Sequence, residues 1–427
     1  MFPRRNISFL LKKTCDFIQK NPTPEKYITK AKFFIRKRSL TFPIVVTSIL
    51  NLFKESVEYN ISTLLPKFKV KTVTGAAFSL ARYKVEISFF KDLNSILVDF
   101  HQRHYVRRWK GFQLIAGDGS TVSLPASPGI KKHFGVYSEN ENGAKSCLAQ
   151  LFMLFDINTK TVLASRISEM KNSERTLFKD CLNNLAVNKA IFILDRGFGY
   201  FNIFKRLIEQ KSDFCIRVSS SNSTFAKQVM NNPSEDFITE WQPSLREKRT
   251  CAEHGQDCEP IKVRVSKIKL TTGEIELLIS SLEPKNISLA DINQLYTLRW
   301  RIEEGFKKLK PKMKLEQFGS RKPEGINQEF EAHIFMMNLV ALLGITAQDK
   351  IEKNMDKRRY GYIFNWQNAF RFVRNSLIEL VMGSKLKTII KQLIEQISKT
   401  VVAVKPTRSF PRIKVRQNKS RLHQAYK

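Results

Sequence analysis

The chain has 427 residues, in which 73 Lys and Arg face 39 Asp and Glu, leaving a formal charge of +34 and a pI near 10.0. Because 42% of the residues are hydrophobic, a core can form, so the cationic excess is that of a folded protein with a polyanionic partner. The longest apolar stretch, residues 334–347, is interrupted by Asn338 and is too short to span a bilayer, and the few apolar residues between Arg5 and Lys12 do not make a secretory signal. No membrane partner is expected. Six scattered cysteines suit reduced thiols in a cytoplasmic protein, and the group Cys251, His254 and Cys258 lacks a fourth ligand at zinc spacing.

The first hundred residues read as helices: one over 42–59, with Pro43 suited to a first turn, then 76–83 and 86–101. The charge excess is concentrated at both ends. Residues 1–40 hold eleven Lys and Arg against Asp16 and Glu25, and eight more from 405 onward meet no acid. Such ends look like phosphate-tracking arms, and solubility tails or a ribosomal contact are the alternatives.

From about residue 110 the pattern changes to strands at 113–116, 147–155 and 161–167, a helix at 174–185, a strand at 190–194, a helix at 200–210 and a strand at 213–218. Asp118 and Asp195 each close a short apolar run within a residue or two of Gly, which predicts carboxylates at the ends of buried strands. Either Asp alone would more often be a turn residue.

From Asp195 to the next informative acid, Glu303, is 108 residues, too many for one helix and one strand. Something is inserted between them. Residues 219–283 begin as polar, turn-rich text and then alternate around Thr271-Thr272-Gly273, a hairpin signal. Trp241 lies in this stretch, either as a core anchor or as a base-stacking residue for an unpaired nucleotide. Tyr296, Arg299, Glu303 and Lys310 then fall within roughly a 60° arc of one helix, beside an apolar stripe of Leu295, Leu298, Ile302, Phe306 and Leu309. Pro311 weakens helix at the end of that stripe. A carboxylate flanked by cations suits a metal ion acting on a phosphate, and a solvated charge row is the bland alternative. Further helices are expected at 327–347, 365–381 and 384–402, with enough apolar face for internal packing or a dimer seam.

The ordered acids Asp118, Asp195 and Glu303 resemble the triad of RNase H-like DNA transposases. Tyr296, Arg299, Glu303 and Lys310 match Tyr-x2-Arg-x3-Glu-x6-Lys, the signature of the insertion-sequence-four family of bacterial transposases. Asp118-Gly119-Ser120, Asp195-Arg196-Gly197-Phe198, the run from Phe318 to Gly325 and the basic tail around Pro411-Arg412 extend the resemblance over roughly residues 40–415. It implies an α/β fold: a helical DNA-binding region at 1–105, an RNase H-like mixed-sheet core at 106–218 and 284–350, a β-rich insertion at 219–283 and a C-terminal helical region with basic tail at 351–427. It further implies two Mg²⁺, replaceable by Mn²⁺, on Asp118, Asp195 and Glu303, with Tyr296, Arg299 and Lys310 holding phosphates. Expected partners are the double-stranded DNA of the terminal inverted repeats and of the target, and a second copy of the chain in a synaptic complex. The family's insertion is associated with a DNA hairpin at the cleaved end. A catalytically inactive, transposase-derived regulator and a stand-alone RNase H-like nuclease are the other readings.

Overall fold

In a computed structural model of the chain the described residues are 4–404, except 21–22, 37, 52–54, 140–142, 144, 222, 271, 354–359 and 384. The expected basic tail, with Pro411 and Arg412, lies outside them. The chain opens with helices α1 (Arg4–Ile18), α2 (Phe42–Leu50), α3 (Val57–Leu64), α4 (Gly75–Arg82) and α5 (Ile87–His104). The single helix expected over 42–59 is two. Its first part ends at Asn51, and the Ser56 hydroxyl accepts the Tyr59 amide to start α3, a local cap that competes with continued helix.

Next come β1 (Phe112–Leu124), α6 (Pro128–Phe134), β2 (Lys145–Asp156), β3 (Val162–Glu169), α7 (Glu174–Leu182), β4 (Ala190–Leu194), α8 (Phe201–Glu209) and β5 (Asp213–Val218). The turn from β2 to β3 is set by Asp156, whose carboxylate accepts the amides of Asn158 and Thr159, and by Lys160 at φ +62°. β1, β2 and β3 form an antiparallel meander, while β4 and β5 run parallel to β1 on its other side, giving the order β3-β2-β1-β4-β5. All five residues of β4 are buried, as a parallel strand covered by helices on both faces requires. This mixed sheet fits the expected RNase H-like core.

The inserted stretch holds α9 (Thr224–Asn231), β6 (Asp236–Trp241), α10 (Leu245–Glu253), β7 (Ile261–Lys269) and β8 (Ile275–Ser280). β7 and β8 make the expected hairpin, and Gly273 at φ +84° supplies the left-handed turn residue. β8 also pairs with β5, so the inserted strands extend the core sheet instead of forming one of their own.

Then follow α11 (Leu289–Thr297), α12 (Arg301–Lys307), α13 (Pro323–Glu352), β9 (Gly361–Phe364), α14 (Trp366–Met382), α15 (Leu386–Lys399) and β10 (Val401–Val404), with β9 paired to β10. By length and composition α13 could cross a membrane, but its apolar stretch is wholly buried within the fold. It is the core helix expected at 327–347, extended at both ends. One apolar core runs from Ile7 of α1 through Phe89 of α5 and Leu114 of β1 to Ile397 of α15. Buried Arg82 of α4 completes the join, donating to Glu329 at 3.0 Å, to Gln328 and to the Gly325 carbonyl. The helices before residue 105 therefore share their core with the C-terminal helices, and no boundary between cores falls at 105.

Candidate active site

β1 does not stop at Asp118. It continues through Ser120, Thr121 and Ser123, paired with β2 as far as Leu124 opposite Cys147, so Asp118 lies inside a 13-residue strand. The parallel pairing of β1 with β4 ends at Ala116 opposite Ile193, and two residues further along each chain stand Asp118 and Asp195. The two residues therefore stand at the same level just past the last pair of adjacent strands, and their carboxylates are close enough for Asp195 to push the Asp118 carboxyl upward. Asp195 also caps the short turn Arg196–Phe198, its Oδ1 accepting the Gly197 amide at 2.9 Å.

Glycines flank Asp118 because the opposite face has no room for side chains. A Cβ on Gly117 would stand 2.7 Å from a Leu194 methyl, and one on Gly119 would stand 2.1 Å from the Glu174 carboxylate. Glu174, the first residue of α7 behind the Ser173 cap, thus lies against β1 at Gly119, on the strand face opposite the one that carries the Asp118 side chain. Its Oε1 accepts from Gln150 Nε2 at 2.8 Å. Sequence reading misses this residue; in the sequence it is one more Glu in the first turn of a predicted helix.

The expected stripe is not on one helix. α11 passes through a tight turn at Leu298–Trp300 into α12, and Lys308–Lys312 then widens into a π turn around Pro311, which has no amide to continue the ladder. Tyr296 and Arg299 are buried, at 4% and 7% exposure. Tyr296 is thus a packing residue here and offers its side chain to no phosphate. The Arg299 guanidinium carbon stands 4.7 Å from the centre of the Trp300 ring and 5.7 Å from that of Tyr296, with its Nε unpartnered. Lys310 Nζ donates to Ser120 Oγ at 2.7 Å and to the Thr121 carbonyl, which fixes a cation on β1 just beyond Asp118. Glu303 is half-buried on α12, which packs against β1. Trp241 is 1% exposed and stacks on Phe225 with ring centres 4.3 Å apart, so it anchors the inserted segment and has no face free for a base.

Burial raises the Asp118 carboxyl to about 7; Asp195 and Glu174 push the same way, and Arg299 opposes them. Glu174 is also raised, by burial and then by Asp195. Between the ordinary value of 3.8 and about 7 the folded state holds a proton that the unfolded chain releases, so Asp118 costs stability as pH rises through that window. In chelator, Asp118 is therefore expected to lower the melting temperature from about pH 4 to about pH 7, and Asp118→Asn is expected to flatten that part of the profile. Superimposable profiles for the two proteins would contradict the burial argument.

Paired hard-oxygen donors with incompletely compensated charge fit a divalent cation, whose charge would relieve the repulsion. Among the described residues, however, no three His, Cys, Asp or Glu side chains stand together at metal-binding spacing. Asp118 and Asp195 are adjacent, and Glu303 does not complete a three-carboxylate group with them.

A family model described as the transposase DDE domain matches residues 109–339, which run from just before β1 into α13 and take in all three acids. The chain belongs to the DDE transposase family. This transposase is 20% identical over 318 residues to transposase InsG for insertion sequence element IS4 of Escherichia coli (strain K12), across 71% of this chain and 68% of that one. Its fold aligns with a cryo-EM structure of the piggyBac transposase synaptic complex with hairpin DNA at a TM-score of 0.46 and 13% identity, covering 93% of this transposase and 83% of that chain.

Proposed function

We propose that this transposase binds the terminal inverted repeats of its own insertion sequence, cuts the element ends and joins them to target DNA. The observation that carries this reading is the placement of Asp118 and Asp195 on adjacent strands, with Lys310 held on the same strand as Asp118. Two Mg²⁺, or Mn²⁺ in their place, would stabilise charge on the entering and leaving oxygens of an in-line displacement. Asp118 and Asp195 would hold them, and Glu303 would join as α12 settles on the DNA end. Lys310, held at Ser120 and Thr121, would set a cation beside the acids, where it could meet the scissile phosphate. Arg299, clamped on Trp300, orients a phosphate once it turns from its buried position, and Tyr296 supports it from the core. No protein-bound covalent intermediate belongs to this reading: water would attack the phosphodiester at the element end and release its 3′ hydroxyl, and that hydroxyl would attack a target phosphodiester and release the target's own 3′ end. A second copy of the chain would hold the other end, and the reaction would take place on bacterial DNA in the cytoplasm.

The test is product analysis with a duplex carrying the repeats that flank the coding region, a supercoiled target and Mg²⁺. The expected products are element ends joined through their 3′ hydroxyls to the target. Cleavage without joining would indicate a nuclease, and binding without cleavage an inactive, transposase-derived regulator.

A further inference from the structure

The segment between α1 and α2 returns against α4 and leaves a cleft of about 560 Å³ that shares no residue with the acid site. Its lining includes Lys32, Arg36, Arg38 and Lys84, and no acidic side chain is among the lining residues. Among the described residues none of these four cations is in an ion pair. The cleft's shape is built in. The Thr29 amide donates to the Lys84 carbonyl at 3.0 Å, Ile28 bridges to Val85, and Lys84 Nζ lies 4.9 Å from the centre of the Phe33 ring. Phe34 sits at φ +61°, a left-handed conformation that bulky residues rarely adopt, and its ring meets Phe42 edge-on at 5.5 Å. This backbone and these aromatic contacts hold four like charges around one opening, an arrangement that self-repels until an anion enters.

We infer that this cleft grips the phosphodiester backbone of duplex DNA, at a place separate from the catalytic acids. The inference rests on the DNA-binding reading above and adds where, and by what chemistry, the backbone is held. Contacts from these Lys and Arg side chains to phosphate oxygens hold the duplex without reading its sequence.

The experiment is fluorescence anisotropy with the full chain in chelator, so that no chemistry occurs, on repeat-bearing and scrambled duplexes over a series of salt concentrations. Arg36→Gln/Arg38→Gln is compared with Lys387→Gln/Lys391→Gln, which removes the same charge from exposed positions on α15. Each lost phosphate contact lowers the slope of log affinity against log salt by about 0.9, so the cleft variant should lose about two and the α15 variant close to none. The loss should be equal on both duplexes. An unchanged slope in the cleft variant, with melting temperature preserved, overturns the inference while leaving the transposase reading intact. An equal loss in both variants overturns it as well, because charge alone would then explain the effect. If the unsubstituted chain binds neither duplex, the transposase reading and the cleft fall together.

Discussion

Asp118→Asn and Asp195→Asn are each expected to lower Mg²⁺-dependent end cleavage by about a thousandfold, because a metal's stabilisation of developing charge is worth several kcal/mol and about 1.4 kcal/mol is tenfold in rate. DNA affinity in chelator should change little. Both substitutions keep the side chain's size, and a neutral amide in place of the Asp118 carboxyl would relieve the burial cost that raises the native group. Glu303→Gln should match them, despite standing apart from the Asp pair in this conformation. Single-turnover cleavage of a labelled repeat end, measured beside anisotropy on the same DNA, separates chemistry from binding. Cleavage near the unsubstituted rate in either Asp variant would remove that residue from the site. Activity in Glu303→Gln combined with its loss in Glu174→Gln would move the third ligand to the head of α7.

The largest expected loss of stability lies in the inserted segment. Arg264 on β7 is nearly sealed, with 2% of its side chain exposed, and its guanidinium meets Asp236 of β6 through two hydrogen bonds of 2.7 and 2.6 Å. A third bond, 2.6 Å to the Ile287 carbonyl, ties the same side chain to the approach to α11. Asp236→Ala strands that buried cation, and removing one partner of such a pair costs about 3–5 kcal/mol. Asp236→Asn keeps part of the hydrogen bonding and should cost less. Urea unfolding of the two variants checks this, and a loss below about 1 kcal/mol for Asp236→Ala would show that Arg264 finds water or another acceptor. Because α11 leads into Arg299 and Glu303, the Ala variant should also slow cleavage beyond what its unfolded fraction explains.

The core sheet is legible in the sequence because its strands carry their own signal. A fully buried parallel strand such as β4 has to be apolar throughout, so 190–194 reads with its true bounds. The second half of β1 is not legible, since Ser120, Thr121 and Ser123 look like loop text and are strand only because β2 supplies their pairing. β6 escapes for a related reason: its residues are mostly half-exposed and pair along one edge with β7. The basic start of the chain suggests a separable helical region, yet Arg82 and the apolar faces of α1 and α5 close onto helices more than two hundred residues away. Periodicity reports that a helix has a buried face and says nothing about which element covers it.

By itself the sequence determined the family, through four spaced residues and two ordered acids, and it determined the succession of strands and helices along the core, because local hydrophobic pattern carries both signals. The tertiary structure alone decided which groups meet. Parallel register brings Asp118 level with Asp195, the missing side chain of Gly119 admits Glu174, and the breaks at Leu298–Trp300 and Pro311 turn one expected stripe into a buried Tyr296 and Arg299 and a Lys310 fixed on β1. Those outcomes depend on contacts between segments 50 to 190 residues apart, for which spacing along the chain carries no distance information.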